Sequence, residues 1–553
     1  MIDAKSKIVQ HNKDLLNSEK GNCINLIAKK KSKFKVGIGF ASEYQYALHT
    51  LGFQYLYFKI NQHQDYFCQR FYYPDQNIIQ LHKNIPILTQ EENIPINNLD
   101  ILFFSLNYEG NYLKLFEMFK LGKIIAFAKD RKDSPILIGG GICPSYNPNV
   151  LSSFFDAFVI GEADSVIDKI INIHRNLKQT GCFTKNKYLR KISKIRGVYV
   201  PKYSQNVQKA LVEEINDNFL GHIISPYSKF PNYLFLEIAR GCGRGCRFCI
   251  LGNLFRRPRI RSKEKILEYA KKMAKFTNRI RLITPSDSDH PEIVEIYKGL
   301  KKMGYSIEIG SQRADFLASK RNMLNYVASK KLTIAPEAAS LRIRKMINKT
   351  ITNEDIFNSV RIAAENKLDV LQLFLIIGFP NETKEDILEI AKIAKKVRFL
   401  LDSNGAESII LELTINCHIK KPHTIFERDS QLEPNKYYSY INKIKSLLKN
   451  VKNIKINAMD KDILALESLL TRGSKEEGIL VYNLYKSKGS IIITEDDIKK
   501  KLKRKYKNYF KKIIGKLPWD NIDICLPNSF LHNESKLVDK EVKKWKLDLQ
   551  QKQ

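Results

Sequence analysis

Six short apolar runs in the second half of the chain, YLFLEI, IRLIT, YSIEIG, KLTIAPE, VLQLFLIIG and SIILELTI, each precede a segment with helical spacing. Strand and helix repeated in series return to one sheet by right-handed crossovers, which predicts a parallel barrel or partial barrel. The first helical segment, SKEKILEYAKKMAKF, shows the pattern. Ile266, Leu267, Ala270, Met273 and Ala274 share one face behind Ser262, a good N-cap.

A shorter alternation precedes it. FKVGIGF, DILFFS, PILIGGG and DAFVIGEAD read as buried strands, with helical segments such as YQYALHTLGFQYLYFKI between them, and predict a small parallel sheet covered on both faces. Gly139, Gly140 and Gly141 directly follow the strand PILI, where a backbone turns tightly or comes close to a ligand. The expected fold is α/β: an N-terminal Rossmann-like parallel sheet domain, a partial (β/α)6 barrel and a helical basic C-terminal region. The expected division is a polar N-terminal arm over 1–34, the sheet domain over 35–170, a connector over 171–230, the barrel over 231–425 and a helical basic extension over 426–553.

Composition adds bounds. At 553 residues the chain can bury several cores, and it contains no apolar run of the ~20 residues that a membrane span needs. Its first residues, MIDAKSKIVQHNKDLLNSEKG, carry Asp3, Asp14 and Glu19, unlike a secretory signal or a transit peptide, so a cytoplasmic location is expected. Lys+Arg 93 against Asp+Glu 58 gives a net +35, which suits RNA or another polyanion. The lysines are scattered through helices such as KKMAKF and KIAKKVRF, and a generally solvated surface fits as well. Of nine cysteines, Cys23, Cys68, Cys143, Cys182, Cys417 and Cys525 stand alone and read as free thiols.

The other three are crowded together. RGCGRGCRFCILG places Cys242, Cys246 and Cys249 in a C-x3-C-x2-C spacing after the first barrel strand, at the mouth where barrel enzymes gather their catalytic groups. Gly243 and Gly245 let the loop curl so that the sulfurs converge, and backbone N–H groups with Arg244 and Arg247 offset negative charge on thiolates. Three thiolates suit three irons of a [4Fe-4S] cube with the fourth left open. A zinc knuckle wants a fourth Cys or His at short range, and the next histidine is His290.

This loop, with Phe248 before its last cysteine, resembles that of the radical S-adenosylmethionine (radical SAM) superfamily. The resemblance implies a [4Fe-4S] cluster on Cys242, Cys246 and Cys249, and S-adenosylmethionine (SAM) chelated to the open iron. It also implies reductive cleavage of SAM to methionine and a 5'-deoxyadenosyl radical that abstracts hydrogen from a substrate. A one-electron reductant such as flavodoxin or ferredoxin follows as a partner.

The remaining strand ends carry polar groups that suit SAM. TPSDSDHP supplies Ser286, Asp287 and Ser288 after the second strand, where the family receives the SAM ammonium. GSQRAD supplies Ser311 and Arg313 for carboxylate and ribose, and APEAAS supplies Glu337. IIGFPNET supplies Gly378 where the family holds adenine, and the sixth strand leads to Lys421, Pro422 and His423. Singly, each has a structural reading: Asp287 as an N-cap, Glu337 in a capping network, His423 in a surface turn. Arg256, Arg257, Arg259 and Arg261 in FRRPRIR suit a phosphate-bearing substrate or a plain surface equally.

The block from SLNYEGNYLKLFEMF to DAFVIGEADSVI resembles the cobalamin-binding-type domain that precedes the barrel in some radical SAM proteins, and APEAAS, IIGFPNET and KKPHTIF resemble an uncharacterised bacterial subgroup. Cobalamin domains that bind through histidine carry D-x-H-x-x-G. Here ALHTLG has His49 and Gly52 with Ala47 in place of the aspartate, so His49 lacks the carboxylate that would orient it and reads as a mid-helix residue. Ser105 and Gly139 to Gly141 suit a nucleotide-like tail, so cobalamin without a histidine ligand stays open. The reading is a radical SAM enzyme acting on RNA or an RNA-associated protein, with methylation or group insertion as an outcome. The alternative is a non-catalytic Fe–S RNA-binding redox sensor.

Overall fold

The computed structural model describes residues 2–550 except 22–23, 133–134, 216–218 and 528, with the side chains of 2, 3, 321, 548 and 549 also outside the description. Cys23 therefore lies outside the described residues.

The N-terminal sheet has six strands in the order Tyr66–Tyr72, Phe34–Phe40, Ile101–Ser105, Ile136–Gly140, Ala157–Val159 and Val198–Tyr199. All pairs are parallel except the last. Because a parallel sheet must hide both faces, each face carries its own core. On one, Val36, Ile38, Ile101 and Ile138 pack with Ile170, Ile171, Tyr188 and Leu189. On the other, Leu102, Phe104 and Leu137 pack with Phe116 and Phe119, and also with Leu466, Leu469, Val481 and Tyr485 from far down the chain.

That second face corrects the expected extension over 426–553. Its helices Lys461–Arg472, Lys475–Lys488 and Glu495–Leu502 are the outer layer of the N-terminal sheet. Helix Lys475–Lys488 comes so close to residues 149–151 that a Cβ on Gly478 would meet the Val150 carbonyl oxygen at 1.7 Å. The expected connector over 171–230 contains helix Lys185–Ile192 and the sixth strand, and the expected arm over 1–34 contains helix Ile2–Ser18, which buries Ile8 and Leu15. Just past that helix, Glu19 grips buried Arg70 through two bonds of 2.9 and 2.8 Å, and Arg70 Nε donates to Glu91 at 2.6 Å.

The six expected barrel strands all form. Tyr233–Glu237, Arg279–Ile283 and Ser306–Glu308 pair in parallel; Lys331–Glu337, Val370–Ile377 and Ile410–Cys417 form a second parallel run, bridged to the first at Gln312 and Ile334. A seventh strand, Ile454–Ala458, pairs parallel to Ile410–Cys417 beyond the expected boundary at 425. Leu371, Leu373, Leu411, Leu413 and Ile415 pack outward into the helix layer. Their polar neighbours pair with each other instead: Thr333 Oγ1 donates to Gln372 at 3.1 Å, and Gln372 Nε2 donates to Thr414 at 2.8 Å. Alternation thus gives the arc one greasy and one polar face. Among the described residues no helix is long and apolar enough to cross a membrane.

Arg70→Ala leaves Glu19 and Glu91 facing each other without a cation. It is expected to destabilise the protein by about 3–5 kcal/mol, read as a lowered urea midpoint with an unchanged slope.

Candidate functional site

The cysteine loop is closed at its base by two antiparallel pairs, Ala239 with Ile260 and Arg240 with Arg259. Gly241 opens it at φ 86, and a Cβ there would meet the Phe255 carbonyl oxygen at 2.4 Å, so the turn requires glycine. Cys242 N–H donates to Phe255 O and Cys249 N–H to Cys246 O, both at 3.0 Å. After Cys249 the chain enters helix Ile250–Leu254, whose Leu251 and Gly252 N–H groups favour the charged form of the Cys249 thiol.

All three thiols are half-buried and unpaired with any other cysteine. Burial pushes the Cys246 thiol up to about 11, against the pull of Lys349, and Cys249, Glu337 and Cys242 add to the rise. Burial likewise raises Cys249, with Cys242 and Glu337 adding to it. The three sulfurs thus lie near enough on one loop for the charge of one to raise the others. No three Cys, His, Asp or Glu side chains among the described residues are grouped as ligands of a single metal ion.

The arginines in the loop answer to other partners. Arg244 Nε donates to Asp289 at 2.8 Å, while Arg247 donates to Glu534 and to Met346 O, both at 2.8 Å. Asn348 Nδ2 holds the Gly245 carbonyl at 2.9 Å. Phe248 turns inward, edge-on to Phe379 at 5.7 Å between ring centroids.

The expected strand-end residues divide into two groups. Ser286 and Ser288 share a hydroxyl bond of 2.7 Å, Ser311 is exposed, and Glu337 at φ 68 accepts from Lys349 at 3.1 Å beside Cys246 and Cys249. Burial pushes the Glu337 carboxyl up, against the pull of Lys349. Glu337 thus stands beside the loop, and Ser288 reaches it through Asp289, the partner of Arg244. Asp287 is 4% exposed and accepts from Tyr297 and Gln312, both at 3.0 Å, so its carboxyl braces the second and third strand ends instead of presenting itself to a ligand. Arg313 is committed to Asp315 at 3.0 and 2.6 Å and to Thr350 at 3.0 Å. At Gly378, φ 92, the N–H donates to Glu382 at 2.6 Å and the carbonyl accepts from Lys420 at 2.5 Å.

Lys420 and His418 went unread in the sequence. Buried Lys420 also donates to His418 Nδ1 at 2.9 Å, and the buried His418 Nε2 has no partner. Burial holds Lys420 down at about 8 and depresses His418. The strand-six ending TINCHIK carried the signal, since a histidine and a lysine follow a buried strand at the barrel mouth.

Lys421 and His423 serve the junction of the domains. The Lys421 ammonium donates to Glu109 at 2.9 Å and Glu467 at 3.0 Å; His423 Nε2 lies 3.1 Å from the Tyr146 carbonyl. Of the FRRPRIR arginines, Arg259 is buried and donates to Glu162 at 2.6 and 2.8 Å, Arg261 pairs with Glu237 at 3.1 Å, and Arg256 lies over the Phe530 ring. Arg257 is exposed.

Between the two domains lies a cavity of about 570 Å³. Ser105, Asn107 and Gly139 to Gly141 line it from the N-terminal sheet, and Glu237, Arg240, Gly241, Thr284 and Phe255 from the barrel mouth. It sits outside the carboxyl ends of the sheet strands, at the switch between Phe34–Phe40 and Ile101–Ser105, where open parallel sheets bind ligands. His49 falls between helices Tyr44–Ala47 and Leu51–Asn61, not within one, and its ring packs against Phe230 and Phe235, away from the cavity lining.

Comparison with known proteins decides the family. Residues 236–394 match the Radical SAM superfamily, and residues 52–201 match Radical SAM proteins, N-terminal. An uncharacterized protein of Methanocaldococcus jannaschii is 32% identical over 445 residues, 79% of this chain and 91% of that protein. The chain belongs to the radical SAM superfamily. As a radical SAM enzyme it uses a [4Fe-4S] cluster and SAM, and it needs an electron donor. The ribosomal protein uS12 methylthiotransferase RimO of Clostridioides difficile is 26% identical over 283 residues, 44% of this chain and 63% of that enzyme. The tRNA-2-methylthio-N(6)-dimethylallyladenosine synthase of Caldicellulosiruptor saccharolyticus is 27% identical over 183 residues, 30% of this chain and 38% of that enzyme. The chain thus spans less than two thirds of either curated enzyme. Among solved structures, the cobalamin-dependent S-adenosylmethionine radical enzyme OxsB overlays with a TM-score of 0.45 at 14% identity, covering 94% of this chain and 81% of that one.

The Glu382 carboxyl, held to the Gly378 and Phe379 N–H groups, is pushed by burial up to about 8. A carboxyl that keeps its proton longer when folded makes the fold lose stability as pH rises from its ordinary 4.5 to about 8. Glu382→Gln removes this loss, so the stability of the variant relative to wild type is expected to rise across that window in chemical denaturation.

Proposed function

We propose that Cys242, Cys246 and Cys249 ligate three irons of the cluster and leave the fourth for SAM, with Phe248, Ser286, Ser288, Ser311, Glu337 and Gly378 bordering the SAM site. Arg313 and Asp287 act in this reading as positioning residues, because their own charges are already paired or buried. The observation that carries it is three half-buried cysteines, none in a disulfide, on one loop at the end of the first barrel strand, within the residues 236–394 that match the Radical SAM superfamily.

When bound, the cluster supplies the single electron that cleaves SAM to methionine and a 5'-deoxyadenosyl radical able to abstract hydrogen. The chain's own contribution is to orient and to exclude water. Glu337 and the hydroxyls of Ser286 and Ser288 offer acceptors to an ammonium or a ribose. Phe248 and Phe379 present an apolar wall. The polar row Thr333, Gln372 and Thr414 gives the substrate hydrogen-bond partners inside the arc.

The interdomain cavity is the proposed place of cobalamin. Its glycine edge and the Ser105 hydroxyl suit an extended tail, and its lining offers no free histidine: His222, the one present, is held by the Tyr269 hydroxyl at 2.8 Å and burial keeps it neutral. A corrinoid held there would draw no histidine ligand from this lining. RNA or an RNA-associated protein is the proposed substrate, in keeping with the net +35. A reducing cytoplasm suits the free thiols Cys68, Cys143, Cys182, Cys417 and Cys525.

Anaerobically reconstituted protein under dithionite is expected to convert SAM to 5'-deoxyadenosine. Cys246→Ala should lose both the broad visible absorbance of the cluster and this turnover; full turnover in that variant would refute the assignment of the ligands. Protein grown with cobalamin is expected to purify with corrinoid absorbance, and Gly140→Phe, which fills the cavity edge, should lose it while keeping the cluster spectrum.

A further inference from the structure

The chain ends in helix Phe530–Gln550, outside the residues that match the family, and this helix lies on the cysteine loop. One stripe of it faces the barrel. Phe530 takes the Arg256 guanidinium on its ring at 3.9 Å, and Glu534 accepts from Arg247 of the loop itself. Val538 packs with Ala338, Met346, Phe379 and Phe426, beside Phe248, and Trp545 stacks under Arg342 at 3.9 Å. These residues recur at 530, 534, 538 and 545, one side of an α-helix.

The opposite stripe carries Lys536, Lys540 and Lys543, all exposed, flanked by exposed Lys544 and Lys546. None of the five is in an ion pair among the described residues, and Asp539 is the one exposed acid among residues 536–547. Next to it, the loop tip Gly243, Arg244 and Gly245 is exposed, as are Arg256, Arg257 and Lys345. The loop thus has two sides. Gly241 and Phe255 look into the interdomain cavity, while Arg247 and Arg256 hold the lysine-faced helix.

A radical SAM enzyme must take its electron from outside the chain, and the cavity side of the loop is where substrate and cofactor belong. Electron delivery is left with the other side, which is basic, solvent-facing and joined to the loop through Glu534 and Phe530. We propose that the lysine face of helix Phe530–Gln550, together with the exposed tip of the cysteine loop, is the docking surface for an acidic one-electron donor protein. The inference rests on the radical SAM reading. Positive charge gathered on the helix that covers the loop steers an acidic partner toward the loop's exposed tip, and makes encounter dependent on ionic strength.

The test uses full-length holoprotein with its cluster and reduced flavodoxin as the probe. Lys536→Glu/Lys540→Glu/Lys543→Glu is compared with Lys392→Glu/Lys395→Glu/Lys396→Glu, which makes the same charge change on exposed positions of the barrel helix Lys384–Ser403. The helix-face variant is expected to bleach its cluster absorbance about tenfold more slowly with flavodoxin and to bind oxidised flavodoxin more weakly. Its reduction by dithionite stays at the wild-type rate. Raising salt from about 0.05 to 0.3 M should slow wild type with flavodoxin and leave the helix-face variant nearly unchanged. Equal flavodoxin rates in the two triple variants would overturn the proposal. So would loss of binding to total tRNA in the helix-face variant with an unaltered flavodoxin rate, which assigns the surface to nucleic acid. Failure of the enzyme reading is separate: the cluster would then be reduced by dithionite without cleavage of SAM.

Discussion

The Lys421 ammonium is the pivot of the molecule. Half-buried just past the end of the sixth barrel strand, it is shared by Glu109 of the N-terminal domain and Glu467 of a C-terminal helix, and Glu109 also accepts from Thr471 at 2.6 Å and from Tyr146. Charge taken out of water must be matched within the protein, so each of the three regions is held wherever its own member of the group finds the other two. Lys421 accordingly stays charged beyond the usual lysine range despite partial burial, because Glu109 and Glu467 face it. A second clamp, Arg259 on Glu162, works a short way off. Glu162, one half of this second clamp, also lines the cavity between the domains.

The cysteine loop depends on the same kind of long-range support. Its curvature is local, set by Gly241 and Gly245 at positive φ. Its position comes from elsewhere: Arg244 on Asp289, Asn348 on Gly245, Arg247 on Glu534. Outer contacts of this sort keep ligand side chains aimed before any metal arrives. The loop is thereby coupled to the segments that follow the second and fourth barrel strands and to helix Phe530–Gln550, which explains how a segment outside the family match comes to bear on the family's site.

The barrel strands were legible because a parallel strand covered by helices leaves long apolar runs, and VLQLFLIIG and SIILELTI have them. Strand Tyr66–Tyr72, YFCQRFY, was missed: Gln69 and Arg70 look like surface residues, yet both are buried, satisfied by Glu92, Glu19 and Glu91. Helix Ile2–Ser18 was read as an arm because only Ile8 and Leu15 mark its buried side. Strand Ile454–Ala458, IKINA, is short and polar on alternate residues, so it does not stand out from the helices on either side. At the site, the three cysteines and the turn at Gly245 were readable from spacing, whereas the left-handed turn at Gly241 was not, and Gly243, expected to curl the loop, is not at positive φ. Asp287 was not readable: its carboxylate reads the same in sequence whether it faces a ligand or, as here, Tyr297 and Gln312.

By itself, the sequence determined what depends on neighbours a few positions apart: the strand–helix rhythm of the barrel, and three thiols spaced to meet on one curled loop. Local periodicity and turn chemistry act within a few residues and are written in the order of the chain. The tertiary structure alone decided which charges are spent. Arg259 meets Glu162, Lys421 meets Glu109 and Arg247 meets Glu534 across separations of 97, 312 and 287 residues. An ion pair constrains position in space and leaves no periodic trace, so the cavity, the covered sheet face and the helix laid over the cysteine loop emerge only once the chain has folded.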